Sequence, residues 1–175
     1  MTEVLSLETT WQAQWMPEFI GTLLFVVQKG HVLLIHKKTG HGAGRINGPG
    51  GKLEPGESVV DCAVRETREE VGIEVSSARC VLEMRFVERD GPQWLGFACI
   101  AERYSGDLRE TEEANPFWCQ LSKIPYERMW PDDAIWLPEI LKTNTPTPRV
   151  ADFLFRRGEL LDHAWRDVPS VVNRF

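Results

Sequence analysis

Three glutamates and two arginines alternate in the short stretch RETREE, from Arg65 to Glu70. Glu66, Glu69 and Glu70 stand at positions i, i+3 and i+4, which a helix brings to one side. Neighbouring carboxylates repel one another unless water or a cation neutralises them. Their hard oxygens suit Mg²⁺ or Mn²⁺, so the pattern indicates either a divalent metal site or a solvated acidic surface.

A basic segment without acids comes shortly before these glutamates. From Lys37 to Lys52 the chain carries four cationic residues, namely Lys37, Lys38, Arg45 and Lys52, and no aspartate or glutamate. A basic loop beside an acidic helix suits a polyanion that is bound together with a metal ion. Two oppositely charged surface loops are the alternative explanation of the same composition.

The wider spacing around the glutamates is more specific. Glycines, acids, an arginine and an isoleucine fall at fixed intervals: Gly51, Glu57, Arg65, Glu66, Glu69, Glu70, Gly72 and Ile73. This arrangement resembles the Nudix box, G-x5-E-x7-R-E-U-x-E-E-x-G-U, in which U is apolar. The one departure is Thr67, which stands where an apolar residue is usual. Its hydroxyl can bond to the Ala63 carbonyl and leave its methyl group buried.

The resemblance implies a Nudix hydrolase, an enzyme that cleaves a nucleoside diphosphate linked to another group and uses Mg²⁺, or Mn²⁺, as its cofactor. The implied metal ligands are three carboxylates and one backbone carbonyl, those of Glu66, Glu69, Glu70 and Gly51. Glu57 is implied to reach the metal site and to pair with Arg65. Glu69, Glu70 and the more distant Glu113 are the candidates for the general base.

Three other stretches, KKTGHGAGRINGPGGK, FWCQLSKIPYERMWPDD and LLDHAWRDV, resemble the animal MutT-type 8-oxo-dGTP diphosphatases. The similarity runs from about residue 20 to residue 168. It implies a purine pocket lined by six residues, Asn47, Asp132, Asp133, Trp130, Thr22 and Lys37. An indole can cover the flat face of a purine, and carboxylates can hold its polar edge.

Two points leave the base preference open. Asp132 and Asp133 can instead cap a helix, with Trp130 in the core; if both acids line a pocket, their repulsion predicts proton-dependent recognition of the base. His41 and Ile46 stand where the animal enzymes carry Phe and Trp, and both can reshape the pocket wall.

The sequence is also compatible with two other functions. The first is a Nudix hydrolase for a dinucleoside polyphosphate, ADP-ribose or an undamaged nucleoside triphosphate. The stretch FVERDG after the box lacks the proline or tyrosine typical of the first two classes. The second is a nucleotide-binding Nudix module without catalysis, although such modules generally lose box carboxylates that this chain keeps.

Composition and charge narrow the partners. The 175 residues suit one domain with a real core, and a net charge of −6 argues against a nucleic-acid polymer or a polybasic membrane contact. The four cysteines are spread out and none has C-x-x-C spacing, which predicts reduced core residues in the cytoplasm. The sequence shows no targeting signal and no run long enough to span a membrane. We expect a monomer or homodimer that acts on a small nucleotide.

The elements that must position these residues form an α+β fold. Strand-like runs cover residues 19–27, 31–37, 79–88, 94–102 and 116–121, and two tight turns, Lys29-Gly30 and Asp90 to Pro92, join neighbouring runs. A helix is predicted from Ser58 to Val71, ended by Gly72. A second is predicted after Asp132 and Asp133, which can cap it, with Pro138 interrupting its regular course.

The whole chain is therefore expected to adopt the Nudix fold, a mixed β-sheet sandwiched between α-helices. Residues 19–175 are predicted as the single Nudix domain, and residues 149–166 as one more strand with a short return. Residues 1–18 are predicted as an arm or short amphipathic helix, since Val4, Leu7, Trp11 and Trp15 have helical spacing. We expect this arm to dock on its own domain, with a dimer contact or a lid as alternatives.

Overall fold

The computed structural model describes residues 15–143 and 146–171. In chain order these residues form β1 (Phe19–Phe25), β2 (Val27–Gln28), β3 (His31–Lys37), β4 (Ile46–Asn47), α1 (Val59–Val71), β5 (Glu74–Glu88), β6 (Trp94–Ser105), β7 (Ala114–Gln120), α2 (Asp133–Leu141), β8 (Arg149–Arg156) and β9 (Glu159–Asp167). None of the helices in this part of the chain is long and apolar enough to span a bilayer.

The strands form two sheets. The larger sheet has the order β1-β6-β5-β8-β9, in which β1 runs parallel to β6 and β5 parallel to β8, while the other neighbours are antiparallel. In the smaller sheet β3 pairs antiparallel with β2, β4 and β7. The predicted turn at Lys29-Gly30 joins β2 to β3, and both residues have positive φ, as the tightest hairpin turns require.

The two helices pack on opposite faces of these strands. Along β1 the side chains alternate: Phe25 packs with Trp136 of α2, and Leu24 lies in a second cluster with Ala63 of α1. The rings of Phe25 and Trp136 meet edge to face at 5.8 Å between centroids. The predicted α+β architecture, with a mixed sheet between helices, is therefore confirmed.

Helix α1 follows the prediction closely. Ser58 is its N-cap and accepts a hydrogen bond from the Asp61 amide at 3.1 Å, and Gly72 ends it in the left-handed region at φ 83°. Thr67 is fully buried, and its hydroxyl donates to the Ala63 carbonyl at 2.7 Å. The expected accommodation of this residue in the core is thus confirmed.

Three details of the sequence prediction are wrong. The first apolar run is two strands, because the chain leaves the larger sheet at Val26 and enters the smaller one. The glycine-rich loop contains a short strand, β4, that pairs with β3. The C-terminal return is a full strand, β9, paired with β8 along its length. Only the break at Val26 depends on pairing between distant segments, because β1 pairs with β6; β4 and β9 each pair with the strand just before them in the chain.

Helix α2 also departs from expectation. Asp132 occupies the N-cap position with helical backbone angles, φ −75° and ψ −25°, and its side chain caps no amide. An N-cap side chain reaches the first amides only from an extended backbone, so this carboxylate is free to bond elsewhere. The helix continues through Pro138 to Leu141, because the hydrogen bond that proline removes belongs to the exposed Ala134, whose carbonyl can reach water.

Trp15 is the one residue of the predicted arm's apolar series that lies in the described part of the chain. Its indole donates to the Gln93 side chain at 2.9 Å, and its ring packs against Val87 and Leu154. Val4, Leu7 and Trp11 lie outside the described residues, so the arm and the domain limits remain predictions.

We predict that Thr67→Val leaves stability almost unchanged. The substitution keeps the shape of the side chain and removes one hydrogen bond to a carbonyl inside the helix, so the free energy of unfolding should change by less than about 1 kcal/mol. Ile73→Ala, which hollows the same fully buried region, should cost about 2 to 5 kcal/mol. Urea denaturation of both variants measures the difference, and a Thr67→Val cost equal to that of Ile73→Ala would contradict the assignment.

Candidate active site

A single cavity of about 540 Å³ joins the glycine-rich loop, helix α1 and the start of helix α2. One end is polar and is lined by Lys37, Lys52, Glu66, Glu70 and Glu113. The other end is largely apolar and is lined by Leu23, Met84, Phe86 and Trp136, which belong to one apolar cluster, together with the polar residues Asn47, Asp132 and Asp133. An elongated ligand with a charged part and a flat apolar part suits this division.

Glu70 joins three elements at the polar end. Its carboxylate is fully buried and accepts hydrogen bonds from Lys37 Nζ of β3 at 2.6 Å and from the Gly50 amide at 3.0 Å. Burial raises the pKa of the Glu70 carboxyl, while the bonds from Lys37 and Gly50 act in the opposite direction. Sequence reasoning named Lys37 and Glu70 separately and missed both their pairing and the part played by Gly50.

Arg65 organises the acids on the outer side of α1. Its guanidinium binds both oxygens of Glu57, at 2.7 and 2.9 Å, and it also donates to Glu66 at 2.8 Å and to Glu69 at 3.2 Å. The bond from Arg65 lowers the pKa of the Glu57 carboxyl to about 2. A fourth contact reaches the Lys52 carbonyl at 3.3 Å. The predicted pairing of Glu57 with Arg65 is therefore present, and it ties the glycine-rich loop to the helix.

Gly51 lies directly against the Glu66 carboxylate. A Cβ atom at this position would come within 2.2 to 2.4 Å of the three carboxyl atoms, so any larger residue would displace the Glu66 carboxylate from its present position. The Gly51 carbonyl accepts the Thr22 amide of β1 at 2.8 Å. A carbonyl oxygen has a second lone pair, so this bond leaves Gly51 able to bind a metal ion. Its implied role as a metal ligand remains a prediction.

The five candidate acids are placed differently. Glu66, Glu70 and Glu113 line the cavity, whereas Glu69 is 49% exposed and Glu57 is held by Arg65 on the outer side. Within residues 15–143 and 146–171, no three His, Cys, Asp or Glu side chains are already arranged as a metal site. Two of these carboxylates are instead paired with cations of the protein, Glu70 with Lys37 and Glu66 with Arg65.

The donor chemistry at this end nevertheless fits a hard divalent cation. The carboxylate oxygens that line it belong to Glu66, Glu70 and Glu113. Burial raises the pKa of the Glu66 carboxyl, which Arg65 opposes. A partly desolvated carboxylate gains more from a bound cation than an exposed one, because there is less water to screen the attraction.

Asp132 and Asp133 are buried at the other end of the cavity, with side chains 4% and 2% exposed. Asp132 accepts the indole N–H of Trp136 at 2.8 Å, and Asp133 accepts the Trp130 amide at 2.9 Å. Burial raises the pKa of Asp132 to about 6, and burial together with the neighbouring Asp132 raises the pKa of Asp133 well above its usual range. One neutral carboxyl beside one ionised carboxyl is the state that this repulsion favours near neutral pH.

The other predicted pocket residues are also brought together. Asn47 lies in β4, opposite Ile35 of β3, and lines the cavity. Its side-chain oxygen accepts a hydrogen bond from the Gly48 amide at 2.8 Å. Thr22 is buried and lies 3.4 Å from the Cys62 sulfur. Ile46, one of the two departures, is buried in the core and does not line the cavity.

His41, the other departure, lines the cavity, as the sequence prediction of an altered pocket wall requires. Its ring is stacked between two indoles, with centroids 4.6 Å from Trp94 and 5.1 Å from Trp130. The guanidinium of Arg45 also lies 4.3 Å from the Trp130 centroid. A purine that stacks on Trp130 would therefore contact an indole that is already in contact with the side chains of His41 and Arg45. Trp94 was missed because it reads as an ordinary strand residue.

Comparison with known proteins shows the family and the fold. The model of the NUDIX domain matches residues 19–140. The oxidized purine nucleoside triphosphate hydrolase of Mus musculus is 41% identical over 151 residues, which cover 85% of this chain and 95% of the mouse protein. The Danio rerio protein of the same name is 42% identical over 123 residues, or 69% and 78% of the two chains. The crystal structure of a MutT protein from Bacillus halodurans superposes with a TM-score of 0.74 at 25% identity, covering 84% of this chain and 97% of that one.

We predict a measurable coupling between Arg65 and Glu57. Both side chains are mostly buried and their contact is two-pronged, so a double-mutant cycle with Arg65→Lys and Glu57→Gln should give about 1 to 3 kcal/mol by urea denaturation. The exposed pair Lys38–Glu110 is the control, and Lys38→Gln with Glu110→Gln should give less than about 1 kcal/mol. Equal couplings in the two cycles would contradict the structural role of Arg65.

Proposed function

The chain belongs to the Nudix hydrolase family, and we propose that it hydrolyses oxidised purine nucleoside triphosphates, such as 8-oxo-dGTP, to the monophosphate and pyrophosphate. The observation that carries this proposal is the continuity of one cavity from the acidic face of α1 to the buried pair Asp132 and Asp133. A nucleotide fits that cavity with its phosphates beside Glu66 and Glu70 and its base beside the aspartates. Its biological role would be to remove damaged nucleotides before they enter DNA.

The base end supports an oxidised purine on chemical grounds. Oxidation of guanine at C8 replaces the acceptor at N7 with an N–H donor and adds an acceptor at O8. A neutral carboxyl can donate and an ionised carboxyl can accept, so Asp132 and Asp133 together offer both functions. Asn47 adds an amide that has a donor and an acceptor. The apolar walls from Met84 and Phe86 shield these bonds from water.

The phosphate end supports hydrolysis of a phosphoanhydride. A divalent ion, when bound, supplies neutralisation of the phosphate charge and lowers the pKa of a water molecule. Mg²⁺ is the proposed ion, with Mn²⁺ as the alternative, and the residues that would hold it are the carboxylates of Glu66, Glu69 and Glu70 and the carbonyl of Gly51. Glu57 acts through Arg65, which orients the carboxylates of α1.

Proton transfer from the attacking water requires a base that reaches the cavity. Glu70 and Glu113 line it, whereas Glu69 is not among the lining residues and is bonded to Arg65. Glu70 is paired with Lys37, so it becomes a better base or ligand when Lys37 moves to another anion. A phosphate group beside Lys37 provides such an anion.

The remaining proposals concern the setting of the enzyme. The four cysteines are free thiols, which agrees with the reducing conditions of the cytoplasm. We propose a monomer or homodimer that acts on small nucleotides, with residues 19–175 as its catalytic domain.

We predict that turnover depends on oxidation of the base and on Asn47. In a panel of 8-oxo-dGTP, 2-hydroxy-dATP, dGTP and a dinucleoside polyphosphate, kcat/KM should be at least about tenfold higher for an oxidised purine than for dGTP, as one differential hydrogen bond allows. Asn47→Ala should reduce this preference and retain basal cleavage. Chromatography identifies the products, and equal kcat/KM for dGTP and 8-oxo-dGTP would exclude the sanitising role.

We also predict that Glu70→Gln abolishes hydrolysis. The amide keeps the size of the side chain and removes the negative charge that a metal ion or a proton requires, so kcat should fall at least about 100-fold. Glu112→Gln, at an exposed acid outside the cavity, is the control and should keep the parent rate. Circular dichroism shows whether both variants are folded; full activity in folded Glu70→Gln would contradict the assigned role.

A further inference from the structure

Five side chains form one continuous stack at the mouth of the cavity, which we call the His41 stack: Lys52, Trp94, His41, Trp130 and Arg45. The imidazole lies nearly parallel to both indoles, at 21° to Trp94 and 15° to Trp130. Each indole also carries a cation, since Lys52 Nζ lies 5.5 Å from the Trp94 centroid and Arg45 lies 4.3 Å from that of Trp130. His41 thereby bridges two walls of the cavity that belong to distant parts of the chain.

The loop that carries His41 has a fixed base and a permissive tip. At its base the Lys37 amide donates to the Arg45 carbonyl at 3.0 Å, and the Gly44 amide donates to the Lys37 carbonyl at 2.8 Å. At its tip His41 is flanked by Gly40 and Gly42, whose φ angles are 72° and 84°. The tip can therefore change its backbone conformation without disturbing β3 or β4.

Positive charge surrounds the imidazole. Covering of its faces lowers the pKa of His41, and the cations Lys52, Lys37 and Arg45 lower it further. The buried carboxyls of Asp132 and Asp133 follow Trp130 by two and three residues, and Asp133 accepts the Trp130 amide. His41 is therefore neutral near pH 7 in the free protein, although two indole faces, which attract cations, lie against it.

We propose that His41 is a positioning residue that takes up a proton when the phosphate chain of a substrate binds beside Lys37 and Lys52, and that the resulting imidazolium holds the loop closed over the nucleotide. The inference rests on the proposed function, because it requires a phosphate chain in the cavity. The phosphates neutralise the cations that oppose protonation. The imidazolium then gains attraction to both indoles and to the phosphates, so proton uptake and binding stabilise each other.

The linkage has a definite sign. A group that is neutral in the free protein and charged in the complex makes binding stronger at low pH. Between the two pKa values of His41, the affinity for the phosphate chain should fall by up to about tenfold for each unit of rising pH. His41→Phe keeps an aromatic ring between the indoles and cannot take up a proton, so its affinity should lack this component of the pH dependence.

Binding of inorganic tripolyphosphate in the presence of Mg²⁺ tests the proposal, measured by calorimetry between about pH 5.5 and 8, around the ordinary pKa of histidine. Wild type, His41→Phe and the control His36→Phe are compared; the His36 ring stacks on Phe117 and does not line the cavity. Titration of the ligand and of the aspartates contributes equally to both proteins, so it cancels when the pH dependence of the affinity of His41→Phe is subtracted from that of wild type. NMR of the four histidines then follows His41 directly, and its midpoint should rise by at least about one pH unit in the complex.

The outcomes separate the two proposals. Proton uptake that is present in wild type and His36→Phe and lost in His41→Phe supports the role of His41. Equal uptake in all three proteins, a His41 midpoint that does not rise, or no binding of tripolyphosphate overturns it. Because tripolyphosphate has no base and is not the substrate of the activity panel, an incorrect choice of nucleotide would appear in that panel and leave this result unaffected.

Discussion

The buried ion pair between Glu70 and Lys37 is the constraint on which the site depends. A fully buried carboxylate is strongly unfavourable unless it is paired and hydrogen-bonded, and Glu70 meets this requirement through Lys37 of β3 and the Gly50 amide. The pair thus fixes three parts of the chain together: the helix that carries the acids, the smaller sheet, and the glycine-rich loop. Removal of either partner would leave an uncompensated charge in the wall of the cavity.

A second consequence is that the acidic helix is neutralised from within the protein. Lys37 holds Glu70, while Arg65 holds Glu57, Glu66 and Glu69. Repulsion among the carboxylates is therefore relieved before any external cation binds. Ligands bound at this end can exchange these internal contacts for new ones, since phosphate groups can compensate Lys37 while a metal ion compensates the carboxylates. This exchange favours binding of the two together.

The two ends of the cavity use burial differently. At the base end, burial and mutual repulsion keep Asp132 and Asp133 from being ionised together, which produces a donor and an acceptor from identical side chains. At the mouth, aromatic stacking and nearby cations keep His41 neutral. In both places burial and neighbouring charges set the protonation states of Asp132, Asp133 and His41, so a bound ligand that changes this environment also changes their charge.

The amino-acid sequence by itself determined the family, because the spacing from Gly51 to Ile73 matches the Nudix box, and it placed Glu66, Glu69 and Glu70 on a single helix. It also predicted both helices, the five main strands and the Glu57–Arg65 pair. Only the tertiary structure decided that Lys37 bonds Glu70, that Asp132 bonds Trp136 and caps nothing, and that His41 enters the slot between Trp94 and Trp130. Trp94 and Trp130 are far apart along the chain and His41 is distant from both, so their contact arises from the packing of the sheets and α2, which no local pattern encodes.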